Sequence, residues 1–171
     1  MNRPAFVLLA IAAAFACGFG LRSSLPASEN NAQTIRKVTG IGGLFFKSEN
    51  PVELKKWYQD NLGLQMDQYG CNFQWYEGAD STQIAYTQWA AFNAKTKYFL
   101  PSEKPYMINY RVADMDALVK ELRAAGVTFT DTVETYDYGK FVHIMDPEGT
   151  KIELWEPVNE SYKKYVKVST K

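Results

Sequence analysis

The sequence predicts an α+β protein in which two βαβββ modules follow one another and enclose a shared cleft. Three observations predict it. A helix-start signal occurs twice, at Asn50-Pro51 and at Asp114, each time preceded by a strand-like run and followed by three more. The closing strands of the two halves read alike, TQIAYTQ from Thr82 and TKIELWE from Thr150. Finally, Lys140 to Glu156, KFVHIMDPEGTKIELWE, reads as a β-hairpin with one aliphatic and one mixed face. A sheet with a helix on one face leaves its other face uncovered. Two such units can turn those bare faces toward each other.

Taken in order, Thr39 to Ser48 has strand composition with a glycine-rich start. Asn50 is the helix cap, Pro51 takes the first helical position, and Glu53 follows three after the cap. Leu54, Trp57, Tyr58 and Leu62 keep helical spacing, with Trp57 and Tyr58 read as core residues, and Gly63 ends the helix. Strand candidates follow at Leu64 to Tyr69, Asn72 to Tyr76 and Thr82 to Trp89. Ala90 to Pro105 connects the halves. The second half begins with a strand at Tyr106 to Ala113. A helix capped by Asp114 comes next, with Met115, Leu118, Val119, Leu122 and Ala125 on its apolar face and Gly126 at its end. Strands are then expected at Val127 to Glu134, Phe141 to Asp146 and Thr150 to Glu156. Module 1 therefore covers about 38–90, module 2 about 105–157, and a polar, basic tail 158–171, loose or forming a short surface helix.

The hairpin register follows from its turn. Asp146-Pro147-Glu148 suits a type I turn, and Gly149 supplies the left-handed residue that closes it. With Asp146 opposite Thr150, Ile144 faces Ile152 and Val142 faces Leu154 on the aliphatic side. On the other side the chain's one histidine, His143, faces Glu153. A slip of one residue would place Glu153 among aliphatic side chains.

Composition excludes some classes. Lys plus Arg equals Asp plus Glu at 19 each, so no net positive charge favours nucleic acid. Cys17 and Cys71 lack metal-ligand spacing. Arg3, the apolar or small run Ala5 to Leu21, and the polar residues from Arg22 read as a secretory signal over 1–32. The alternative is an uncleaved membrane anchor, and Ala14 to Cys17 faintly resembles a lipoprotein box. Export to the periplasm or beyond is expected, with membrane contact only through this N-terminus.

The doubled unit, the WYQDNLGL run, the IGG start of the first strand and the closing DPEGTKIELWEP resemble the vicinal oxygen chelate superfamily over about Val38 to Pro157. That superfamily includes glyoxalase I, bleomycin- and fosfomycin-resistance proteins and extradiol dioxygenases; the nearest look is to bacterial glyoxalase-like proteins. The resemblance implies a small-molecule cleft, often with a divalent metal held by the first and last strands of each unit. Carried over by position, the ligands fall at Gly43, Ala85, Met107 and Glu153, of which only Glu153 suits a hard or borderline cation. His143 could supply a second ligand. Two protein ligands fall short of the usual three or more, so no cofactor is expected, with a divalent metal as the alternative.

Alternation from those positions adds Phe45 and Lys47, Gln83 and Thr87, Asn109 and Arg111, and Lys151 and Trp155 to the cleft wall. Each has a plain reading beside the functional one. Glu153 could be the catalytic or ligating acid, or be paired with Arg111 or Lys151. His143 could be a general acid or base, or a hydrogen-bonded hairpin residue. Arg111 could clamp a ligand carboxylate or form an internal ion pair. Tyr136 and Tyr138 could close over a ligand or merely cover the sheet edge. The functional expectation is an exported small-molecule-binding protein. The alternatives are a divalent-metal lyase, isomerase or dioxygenase using Glu153 and His143, and an interaction module, with a homodimer left open.

Overall fold

The computed structural model describes residues 37–78 and 80–166. The expected leader at 1–32 lies outside the described residues, as does the end of the tail. Among the described residues no helix is long and apolar enough to cross a membrane.

The first half contains β1 (Val38–Ser48), α1 (Pro51–Leu62), β2 (Cys71–Glu77) and β3 (Asp80–Asn93). The second contains β4 (Tyr106–Val112), α2 (Met115–Ala124), β5 (Thr128–Phe129), β6 (Glu134–Tyr136), β7 (Gly139–Met145) and β8 (Lys151–Pro157), followed by the short α3 (Asn159–Tyr162). All eight strands belong to one sheet, ordered β2-β3-β1-β4-β8-β7-β5 with β6 on β7. β1 runs parallel to β3 and antiparallel to β4, and β4 runs parallel to β8. The two halves are thus joined by direct β1–β4 pairing rather than merely facing each other.

Both helix starts form as their residues dictate. Asn50 Oδ1 accepts the Glu53 backbone N–H at 3.2 Å while Asn50 Nδ2 donates to the Glu53 carboxylate at 2.9 Å. Asp114 accepts the Ala117 N–H at 3.0 Å. The Met115 N–H donates to Glu156 at 2.5 Å, so a second carboxylate meets the positive end of α2. Gly63 ends α1 at φ +69°, a conformation that costs glycine little.

The helices differ in burial. α2 packs Met115 and Leu118 against Val142, Ile144 and Leu154, the aliphatic face of the β7–β8 hairpin. α1 buries no residue fully, and Trp57 remains 53% exposed, against the core role expected for it. It leans on the side chain of Tyr58, which in turn meets Trp89. A second core joins the halves: Phe45, Ala90 and Met107 with Phe99 from the connecting segment.

The hairpin has the expected register, with His143 opposite Glu153 and Val142 opposite Leu154. The Asp146 N–H donates to the Thr150 carbonyl, and Gly149 takes φ +76°.

Two expected strands are absent or broken. Leu64 to Tyr69 forms no strand. There Asp67 folds the chain back on itself, its carboxylate accepting the N–H groups of Tyr69 and Gly70 at 2.7 and 2.9 Å. Val127 to Glu134 is reduced to β5 and, after a gap, β6. In the gap the Asp131 carboxylate accepts the His143 backbone N–H at 2.8 Å, so a side chain takes a ladder position. The described part of the tail forms a short helix, one of the two expected forms; beyond that expectation, Tyr162 on α3 ties it to β2, its hydroxyl donating to Asn72 at 3.3 Å.

Candidate functional site

Strand register builds the site. One row of paired residues crosses six strands: Asn72, Gln88, Gly43, Asn109, Glu153 and His143. Partners in such a row point to one side of the sheet. On that side lies a cavity of about 340 Å³, lined from both halves by β1, β3, β4, β6, β7 and β8.

Glu153 is the polar centre of its floor and is 3% exposed. Asn109 Nδ2 donates to its Oε1 at 2.6 Å. The Tyr98 hydroxyl donates to Oε2, and His143 Nε2 meets the same oxygen at 2.9 Å. Asp131 Oδ2 is 2.6 Å from His143 Nδ1. Each ring nitrogen therefore faces a carboxylate, and only a doubly protonated ring donates to both. Tyr98 is held as a proton donor: burial, then the nearby Glu153 charge, pushes its hydroxyl far above the usual phenol range. These contacts offset the cost of burying a carboxylate.

The expected site residues divide. Glu153, His143, Asn109, Trp155 and Phe45 all line the cavity. Gln83 and Thr87 do not: Gln83 is exposed, and Thr87 donates to the Ile41 carbonyl at 2.5 Å while accepting from Trp75 Nε1 at 2.9 Å. The β3 residues that line the cavity are Gln88 and Phe92. The reason is register. The repeat in letters aligns Ala85 with Glu153, but the pairing of β1 with β3 aligns Gln88 with Gly43, and Ala85 pairs with Trp75 instead. On β4 it is Asn109, not Met107, that stands in line with Glu153; Met107 packs in the second core.

Arg111 is 0% exposed and lies outside the cavity lining. Its Nη2 donates to Glu77 and to Asn159, both at 2.8 Å, and its guanidinium stands 5.0 Å from the Trp155 ring centroid. It forms an internal ion pair tying α3 to the β2–β3 hairpin, not a clamp facing the cavity. Burial lowers its pKa while Glu77 opposes the shift. Lys151 is committed too, donating to the Tyr98 carbonyl at 2.9 Å.

Several lining residues escaped sequence reading. Tyr98 comes from the connecting segment, Tyr69 from the Asp67 turn and Tyr162 from the tail. Tyr136 and Tyr138, which the sequence offers as covers of either a ligand or the sheet edge, line the cavity and stack at 5.4 Å. Phe141 stacks on Trp155 at 5.7 Å.

A divalent ion fits these residues poorly. Gly43 offers no side chain, both Glu153 oxygens are engaged by protein groups, and among the described residues no group of three or more His, Cys, Asp or Glu is arranged to hold an ion.

Comparison with known proteins agrees with the architecture. A Streptomyces coelicolor methylmalonyl-CoA epimerase variant in complex with 2-nitronate-propionyl-CoA is similar at 14% identity and TM-score 0.52, covering 71% of this chain and 99% of its own. A methylmalonyl-CoA epimerase in complex with methylmalonyl-CoA and NH4+ is similar at 16% identity and TM-score 0.50, covering 71% and 96%. Likeness at such identity shows the fold alone. No curated protein matches the chain by sequence. A family model for the Glyoxalase/Bleomycin resistance protein/Dioxygenase superfamily matches residues 48–154, well over half of the chain. The chain belongs to that superfamily.

Proposed function

We infer that the protein is an exported small-molecule-binding protein that holds its ligand in the aromatic cavity without a resident divalent metal, acting by sequestration or transport. The supporting observation is the state of Glu153. Its oxygens are engaged by Asn109, Tyr98 and His143, while an aromatic-walled cavity of about 340 Å³ lies above it. That volume is at the lower end of the roughly 300–1,000 Å³ typical of small-molecule pockets. Export rests on the basic start and apolar run of the leader. Equilibrium dialysis of the purified protein against a metabolite library tests the reading. Retention of a compound that Trp155→Leu no longer retains is the expected result. No retained compound, together with turnover of a test substrate only when metal is added, would overturn it.

A second reading is a divalent-metal lyase, isomerase or dioxygenase. It is favoured by the direct meeting of His143 and Glu153 at 2.9 Å. In that case Mn²⁺, Ni²⁺, Fe²⁺ or Zn²⁺ raises the melting temperature of the purified protein, and Glu153→Ala abolishes the rise. An unchanged melting temperature, or the same rise in the variant, removes it.

A further inference from the structure

The cavity walls indicate the charge of the occupant. Nine of the fifteen lining residues are aromatic, so ring faces and edges make up most of the wall. Apart from tyrosines, the ionisable residues among them are Glu134, His143 and Glu153, and among the described residues no lysine or arginine is included. Asp131 stands behind His143. Even with the imidazole charged, carboxylates outnumber it. The basic side chains nearby are committed elsewhere, Arg111 to Glu77 and Asn159, Lys151 to the Tyr98 carbonyl.

Among the lining residues the unmet hydrogen-bonding capacity has the same sense, whereas the two unpaired guanidinium nitrogens, Arg111 Nε and Nη1, are buried outside the lining. A carboxylate offers about four lone-pair sites; Asn109, Tyr98 and His143 occupy three of those on Glu153. Asn109 Oδ1 is a buried acceptor with no donor. It lies against Gly42, itself a lining residue, where a Cβ would collide with it. The site thus carries spare acceptors on its floor and aromatic rings on its walls. Ring faces attract cations within about 6 Å of the centroid. Trp155 already holds one in this way, the Arg111 guanidinium at 5.0 Å.

Resting on the small-molecule reading above, we propose that the ligand is an organic cation, with an ammonium or quaternary ammonium group lodged among Tyr98, Tyr136, Tyr138 and Phe141 over the Glu153 carboxylate. A carboxylate or phosphate ligand would meet two glutamates with, among the described residues, no lining lysine or arginine to receive it. A neutral apolar ligand would bury the spare acceptors without a partner.

Isothermal titration calorimetry on the purified protein tests this with three probes of nearly equal size: choline, its uncharged carbon isostere dimethylbutanol, and the anion dimethylbutanoate. Choline is expected to bind at least about tenfold tighter than the alcohol, and the anion weakest, because ring–cation attraction is strong at a desolvated site. Tyr138→Leu and Tyr136→Leu, both in the cavity lining, are each expected to weaken choline severalfold and to weaken the alcohol clearly less. Glu153→Gln is expected to weaken choline more than the alcohol. Equal or tighter binding of the alcohol or the anion overturns the cation assignment while the cavity reading stands. If none of the three binds, benzyltrimethylammonium, which fills more of the cavity, is titrated. Silence there also overturns the cation assignment, and the metabolite dialysis then decides the cavity reading separately.

Discussion

Arg111 allows a prediction in which the two halves of one ion pair respond unequally to mutation. Its side chain is 0% exposed, whereas that of Glu77, 2.8 Å away, is 25% exposed. Arg111 Nε and Nη1 are buried without hydrogen-bond partners. Glu77→Ala strands a buried guanidinium on Asn159 and the rings of Trp75 and Trp155. Stranding a buried charge costs about 3–5 kcal/mol, and the remaining Asn159 contact places this case near ~3. Arg111→Met keeps most of the stem volume and leaves Glu77 to be hydrated at its exposed edge. It also removes two unsatisfied donors, each of which had cost roughly 1–3 kcal/mol. Its net cost is therefore expected at about 1 kcal/mol or less. The difference of about 2 kcal/mol corresponds to about thirtyfold in the folded-to-unfolded ratio and to about 8 °C in melting temperature for a domain of this size. Urea denaturation of both variants and of the double variant, followed by fluorescence, measures it. If Arg111→Met loses as much as Glu77→Ala, or more, the asymmetry argument is refuted and Arg111 contributes through more than this pair.

Other expectations follow from burial and proton linkage. Leu118→Ala, in the core between α2 and the hairpin, is expected to cost about 2–5 kcal/mol in urea denaturation, against about 1 or less for Trp57→Ala on the exposed face of α1. Burial pushes Tyr162 from 10.0 to about 12, with Arg111 opposing. A raised folded-state pKa means that the stabilisation is intact below pH 10.0 and is lost as pH rises toward about 12. Alkaline titration followed at the phenolate absorbance should therefore show a late-ionising tyrosine, and Tyr162→Phe should flatten the fall in stability across that window. Ser102→Ala removes a buried hydroxyl that donates to the Gly149 carbonyl at 2.6 Å, linking the connecting segment to the hairpin turn; a loss of about 1–2 kcal/mol is expected from its denaturation curve.

Local chemistry made much of this molecule legible from residues alone. Asn50 and Asp114 cap their helices because a short polar side chain reaches an N–H three residues on, a contact that depends on no distant part of the chain. The hairpin register, and with it the meeting of His143 and Glu153, followed from Asp146-Pro147-Glu148-Gly149 because a tight turn leaves only one alignment of the strands it joins.

Only the tertiary structure decided what stands opposite that hairpin. Strands β1, β3 and β4 are far apart in sequence, and no turn fixes their mutual alignment. Similar letters in the two halves suggested Ala85, Gln83 and Thr87 where the fold places Gln88 and Phe92. Tyr69, Tyr98 and Tyr162 enter the cavity from a turn, a connecting segment and the tail, where side-chain direction follows no period. Whether Arg111 faces a ligand or a glutamate likewise rested on where the β2–β3 hairpin and α3 come to lie. A sequence encodes short-range hydrogen bonds almost letter by letter, while long-range register is set by the packing of the whole chain at once.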